Sequence, residues 1–286
     1  MRTVGLAVLS LLLVASSSSN AQASRWSAGS NTGRSVPNAE LSGYTVITAG
    51  PFDDPAGTQS GQSATCPPGT VVLGGGSQSS STSLAVNLNS SWPSSTMSWS
   101  VKENNGSAGD ASFTVYAICA RKPKFYAIVA TSVTALPGQL QPVSCPTKTQ
   151  PSDGGVQWQS TDLLDNLDST FPQRPRPHSA KEWVVILDAG SGSMQPATAY
   201  AVCGRIPGWE LQNGPARGSS AGTQTDGTAV CPSATVPVGG GSNSDFVHVA
   251  GVDDQSEYPQ SGSWQAVQNN SSATMNVLAP TAVCAK

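Results

Sequence analysis

Beyond residue 23 no stretch of the chain places apolar residues at helical spacing. Apolar positions come in short runs that partly alternate with polar ones and end at Gly, Pro, Ser or Asn, the pattern of short strands and tight turns. In the first third the runs are 44–47, 71–73, 84–88, 98–101 and 112–118. Along the last of these, Phe113, Val115, Ala117 and Cys119 share one face, so the sulfur is expected to lie with the core. The pattern predicts an all-β chain.

The N-terminus differs. Val4 to Ala15 is an apolar run of 12 residues behind Met1-Arg2, too short to span a bilayer as a helix. Ala21-Gln22-Ala23 follows with the small-x-small cleavage pattern, so residues 1–23 read as an export signal and Ser24 as the first mature residue. No cysteine lies near the cut, which argues against a lipoprotein anchor, and no later run is apolar enough to span a membrane. Residues 24–40, rich in Ser, Asn and Gly, read as a flexible leader.

Self-comparison shows one unit written three times. Cys66 is followed by Cys119 after 53 residues, Cys145 by Cys203 after 58, and Cys231 by Cys284 after 53. Each first cysteine precedes a proline: Pro67, Pro146 and Pro232. Glycines follow at a fixed offset, Gly74-Gly75-Gly76, Gly154-Gly155 and Gly239-Gly240-Gly241. An aromatic-proline pair comes next, Trp92-Pro93, Phe171-Pro172 and Tyr258-Pro259. Trp99, Trp183 and Trp264 each lie 20 residues before the closing cysteine. An aromatic opens each copy (Tyr44, Tyr126, Trp209), and copies one and three share Ala56-Gly-Thr-Gln59 and Ala221-Gly-Thr-Gln224. These spacings bound the copies at 41–122, 123–206 and 207–286. The links 121–124 and 204–207 are short, unlike the long flexible linkers of independent domains. The expected architecture is three copies around a pseudo-threefold axis, like a β-prism; three tandem small β-sandwiches are the alternative.

All six cysteines lie in the exported part, which suits an oxidising compartment. None has metal-site C-x-x-C spacing, and only His178 and His248 are available as partners, so disulfides are expected rather than a metal site or a cysteine nucleophile. Two pairings respect the repeat. Pairing within copies gives Cys66–Cys119, Cys145–Cys203 and Cys231–Cys284; pairing between copies gives Cys119–Cys145, Cys203–Cys231 and Cys66–Cys284. The first is favoured because it gives each copy its own closed loop.

Composition narrows the function. Charged residues are 11% of the chain and the net charge is −3, which gives no electrostatic hold on nucleic acid or on an anionic membrane. Asp162, Asp165 and Asp168 invite a calcium reading, but aligned on Cys145 they match Ser83, Val86 and Asn89 of copy one, so surface variation is the expectation and no metal or cofactor is assigned. Asp53-Asp54 and Asp253-Asp254 read as turn pairs. Gly218-Ser219-Ser220-Ala221-Gly222 fits G-x-S-x-G but lacks the strand–turn–helix setting of a nucleophile elbow. The glycine triplets lack the following Lys-Ser/Thr of a phosphate loop and read as close packing near a common axis. His178 falls in the longer loop of copy two, expected to be solvated, with a partner-binding tip as the sharper alternative; nothing local assigns His248 a partner. Trp99, Trp183 and Trp264 read as core residues near the disulfides. Trp92, Phe171 and Tyr258 keep position but vary in type, which suits either edge packing or a rim of flat faces for a sugar. Asn89, Asn105, Asn269 and Asn270 stand in N-x-Ser sequons.

The layout Cys-Pro-x-Gly, triple Gly, Trp, Tyr-Ala-x-Cys, clearest in Cys66-Pro-Pro-Gly69 and Tyr116-Ala-Ile-Cys119, resembles repeats of secreted bacterial proteins, often actinobacterial, that are themselves uncharacterised. Copy two departs from it at Thr147-Lys148, and copy three lacks the tyrosine before its last cysteine. A looser, architectural similarity is to vitelline membrane outer layer protein, a threefold β-prism with disulfides. Neither resemblance carries an activity over. The sequence leads to a secreted, non-catalytic structural or surface-interaction protein whose partner is unknown, a glycan or cell-surface component being the class considered. A glycan-binding module using Trp92, Phe171 and Tyr258 is the alternative, and a hydrolase comes third.

Overall fold

The computed structural model describes residues 40–134, 137–173, 181–193, 195–244 and 249–286. Residues 1–23, read above as an export signal, residues 24–39 of the expected leader, His178 and His248 lie outside them. The described chain is all-β. Repeat one holds β1 (Thr45–Asp54), β2 (Thr58–Thr65), β3 (Val71–Ser79), β4 (Val86–Pro93), β5 (Ser98–Asn105) and β6 (Ala111–Ala120). Repeat two holds β7 (Lys124–Thr134), β8 (Gln141–Ser144), β9 (Gln150–Trp158), β10 (Asp165–Gln173), β11 (Glu182–Ala189) and β12 (Pro196–Arg205). Repeat three splits its opening strand into β13 (Glu210–Asn213) and β14 (Arg217–Ser219), then continues with β15 (Thr223–Val230), β16 (Val236–Asn243), β17 (Val252–Gln260), β18 (Ser263–Asn270) and β19 (Asn276–Ala285).

No sheet belongs to one repeat. The three antiparallel sheets run β1-β6-β3-β17-β18-β15, β13-β19-β16-β10-β11-β8 and β2-β5-β4-β9-β12-β7, with β14 also on β19. Each is half from one copy and half from the next. The halves meet at one bridge per sheet, Ser77–Glu257, Ser91–Val156 and Thr170–Ser242, and these are equivalent positions around a pseudo-threefold axis. Three independent sandwiches would need each copy to complete its own sheets. Here the copies share one core, which includes all six cysteines.

The six cysteines pair within copies, as Cys66–Cys119, Cys145–Cys203 and Cys231–Cys284. Each first cysteine follows a strand of one sheet while its partner lies in a strand of another, so the three bonds staple all three pairs of sheets. The alternation along β6 holds: Phe113, Val115, Ala117 and Cys119 are buried, whereas Ser112, Thr114 and Tyr116 are half-buried.

The glycines are positions of close approach. A Cβ on Gly76, Gly155 or Gly241 would collide with the backbone carbonyl of Glu257, Ser91 or Thr170, across the seam between two repeats. A Cβ on Gly75, Gly154 or Gly240 would enter the ring of Trp99, Trp183 or Trp264. These tryptophans are fully buried, and each packs on the central glycine of its own copy. The opening aromatics are latches between copies. Tyr44 Oη donates to the Pro237 carbonyl at 2.8 Å, Tyr126 Oη to Val72 at 2.9 Å and Trp209 Nε1 to Pro151 at 2.7 Å. The three acceptors are equivalent, and each sits at a bulge in its strand, where the ladder leaves a carbonyl for a side chain.

Candidate functional site

The aromatic-proline pairs lie inside β4, β10 and β17 rather than on loops. Proline is tolerated there because the pairing to the neighbouring repeat has ended two residues earlier, at the single bridge. This corrects the open-rim expectation. Trp92 is 9% exposed and Phe171 4%, so neither offers a flat face, and the three aromatics stand in three different sheets. Tyr258 is half-buried and stacks on Tyr116 with ring centroids 5.6 Å apart.

The break in symmetry matters more than the rings. Tyr116 and Tyr200 occupy equivalent positions and donate to Gln78 Oε1 at 3.0 Å and Gln157 Oε1 at 3.3 Å. In copy three the same positions hold Thr281 and Asn243. Phe171 therefore faces no tyrosine, and a cleft of about 620 Å³ opens beside it, lined by Phe171, Gln173, Asn213, Asn243, Pro280 and Thr281 among others. Apolar surface beside amide and hydroxyl groups is suited to an uncharged polar ligand.

The second chemical feature is a set of buried carboxylates that sequence reasoning missed. Asp153 takes the place of the first glycine of the triplet. Side chains at Gly74 and Gly239 would collide with it, so the axis has room for one side chain among three copies. Its carboxylate accepts from Gly75 N at 2.9 Å and Gly154 N at 2.8 Å, and also from Gly240 N. One amide thus comes from each repeat. Burial still pushes its carboxyl well above the usual carboxylate range, against those three bonds. Asp254 and Glu257 stand where copies one and two have Leu88, Leu167, Ser91 and Thr170. Both are raised by burial; the Asp254 charge raises Glu257 further, whereas a hydrogen bond with Glu257 works against the rise at Asp254. Ser242 donates to Asp254 Oδ1. In copies one and two the indole N–H groups of Trp99 and Trp183 reach Ser91 Oγ at 2.9 Å and Thr170 Oγ1 at 2.6 Å. With Glu257 at that position, Trp264 Nε1 has no hydrogen-bond partner among the described residues. Glu103 is raised to about 8 by burial and, less, by Asp54, although Ser77 Oγ donates to it at 3.0 Å. Asp153, Asp254, Glu257 and Glu103 are all buried from solvent.

Other expectations resolve directly. Asp53 and Asp54 end β1, and Asp253 and Asp254 lie in β17, so both pairs belong to strands and not to turns. Asp162, Asp165 and Asp168 serve three separate places. Asp162 Oδ1 accepts from Leu164 N, Asp165 accepts from Ser160 Oγ and Ser191 N, and Asp168 accepts from Ser169 and Ser244. Among the described residues no three His, Cys, Asp or Glu side chains are grouped to hold a metal. Ser219 is buried in β14, and a turn and a strand follow it, not the helix of a nucleophile elbow. The four sequon asparagines are fully buried, and their Nδ2 atoms already donate to carbonyls, which leaves no room for a glycan. The signal available in the sequence was the position-by-position difference between copies: Asp153 for glycine, Asp254 for leucine, Thr281 for tyrosine. Neither a protein-family model nor a curated protein matches this chain.

Proposed function

We propose that this chain is an exported, non-catalytic protein that acts as extracellular structure or in surface interaction. The observation that carries the reading is the stapling of every pair of sheets by a disulfide. Closing a loop of this size contributes about 4 kcal/mol in the chain-entropy model, and such bonds persist in oxidising compartments. Among the described residues no helix is long and apolar enough to cross a membrane. The test is to recover the mature chain from the medium and assay three properties: free thiols, survival under protease, and hydrolysis of ester, glycoside and peptide substrates. No thiols, long survival and no turnover are expected; turnover of any substrate sinks the reading.

The cleft beside Phe171 favours glycan binding as the second reading, at a different place from the three-aromatic rim. A glycan array with wild type and Asn213→Ala distinguishes the two, because Asn213 is exposed and its loss should spare the fold. Specific binding lost in the variant supports the lectin reading, and an empty array removes it.

A further inference from the structure

At one end of the axis the three repeats meet through equivalent side chains, and one junction differs from the other two. Between repeats one and two, Asn104 Nδ2 donates to three oxygens: the carbonyl of Asp165 at 2.9 Å, the carbonyl of Asp162 at 3.3 Å and Asn166 Oδ1 at 2.9 Å. Between repeats three and one, Asn269 Nδ2 does the same to the carbonyls of Val86 at 2.9 Å and Ser83 at 3.2 Å and to Asn87 Oδ1 at 2.8 Å. The carbonyls belong to matching turns, closed by Asp165 N on Asp162, Val86 N on Ser83 and Val252 N on Val249. At the third junction the asparagine is replaced by Asp188, and the corresponding oxygens are the Val249 and Val252 carbonyls and the Asp253 carboxylate. The amide that would tie them together is gone, and a second carboxylate stands in its place.

The exchange leaves the Asp253 carboxylate only half satisfied. Its Oδ2 accepts from Asn166 Nδ2 at 3.2 Å, but its Oδ1 is buried with no hydrogen-bond partner among the described residues, and the side chain is 4% exposed. Asp188 Oδ2 accepts from Gly251 N at 2.8 Å, which fixes that carboxylate at the junction. Both acids line a cavity of about 310 Å³, together with Asn87 and Asn166 and a rim that includes Leu84 and Leu164. Burial is the first cause that raises the Asp253 carboxyl, and the Asp188 charge is the next.

We propose that this junction is a divalent-cation site, suited to Ca²⁺, in which Asp188, Asp253 and the carbonyls of Val249 and Val252 supply the oxygens. The ion would take over the electrostatic role that an asparagine NH₂ has at the other two junctions, joining repeats two and three as the amide joins the others. Mixed carboxylate and carbonyl donors, irregularly placed, with water entering from the cavity, match the six to eight oxygens that Ca²⁺ takes. The small, rigid octahedron of Mg²⁺ fits such a set less well. The site is independent of whatever surface or glycan the protein engages.

The experiment is thermal unfolding of the full mature chain, disulfides intact, at pH 7.5 in EDTA and in CaCl₂, with Asp188→Asn beside wild type. That variant rebuilds the arrangement of the other two junctions, so it is expected to fold. Calcium at about a hundred times its dissociation constant should raise the wild-type midpoint by about 5 °C or more. Asp188→Asn should melt in EDTA at or above wild type and gain nothing from calcium. An equal gain in the variant would place the ion elsewhere, and no gain in wild type would mean that a proton, not a metal, sits between the carboxylates; either overturns the proposal. Calorimetric titration of wild type with CaCl₂ gives a readout that needs no variant: one ion per chain is expected, and none overturns it.

Discussion

Replacing Glu103 with glutamine isolates the cost of a buried charge in this protein. Glu103 lies in β5, fully buried, with Ser77 Oγ donating to Oε1 and Oε2 unpartnered among the described residues. Burial raises its carboxyl from the ordinary 4.5 to about 8. The unfolded chain therefore releases this proton near pH 4.5, while the folded chain keeps it until about pH 8. Across that window the unfolded state binds fewer protons, so stability falls as pH rises. The folded state bears no penalty below the window and the full penalty above it. At about 1.4 kcal/mol per pH unit the ceiling is about 5 kcal/mol, which water entry and relaxation reduce, so about 2–5 kcal/mol is expected. Glutamine keeps an acceptor for Ser77 and has no proton to lose. Urea unfolding at pH 5 and pH 8.5, disulfides intact, should show the variant close to wild type at pH 5 and more stable by that amount at pH 8.5. Identical pH dependence in the two proteins would refute the reasoning, because it would mean that Glu103 is ionised at no cost or reaches solvent.

Further outcomes follow from the same packing. Gly239→Ala puts a methyl against Asp153 on the axis and should destabilise by about 2–4 kcal/mol in denaturant unfolding, since the backbone there is shared by three repeats. Tyr44→Phe removes one latch between copies and should cost about 1 kcal/mol. In wild type, burial holds the Tyr44 phenol up at about 12, so a phenolate absorbance titration should show it still protonated at pH 10.5. Expression in a glycosylating host should yield folded chain with Asn89, Asn105, Asn269 and Asn270 unmodified by mass spectrometry, because all four are buried in hydrogen bonds.

Local regularities were legible in the chain itself. Alternation along 112–119 predicted which face of β6 is buried, because side-chain direction in a strand depends only on position along it. The threefold spacing of cysteine, glycine and tryptophan predicted a pairing within copies and a packing role for the glycines. What the linear pattern could not carry was which copy completes which sheet. That exchange is decided by single bridges between residues up to 180 apart, Ser77 and Glu257 among them. The fates of the acids were equally hidden. Asp253-Asp254 has the composition of a turn, but the surroundings of its carboxylates are set by distant side chains, Asn166, Asp168 and Asp188 of repeat two and Ser242 of its own. Asp153 shows the limit most plainly. Three equivalent positions converge on one axis, and only in three dimensions does it follow that one of them alone may bear a side chain while the other two must be glycine.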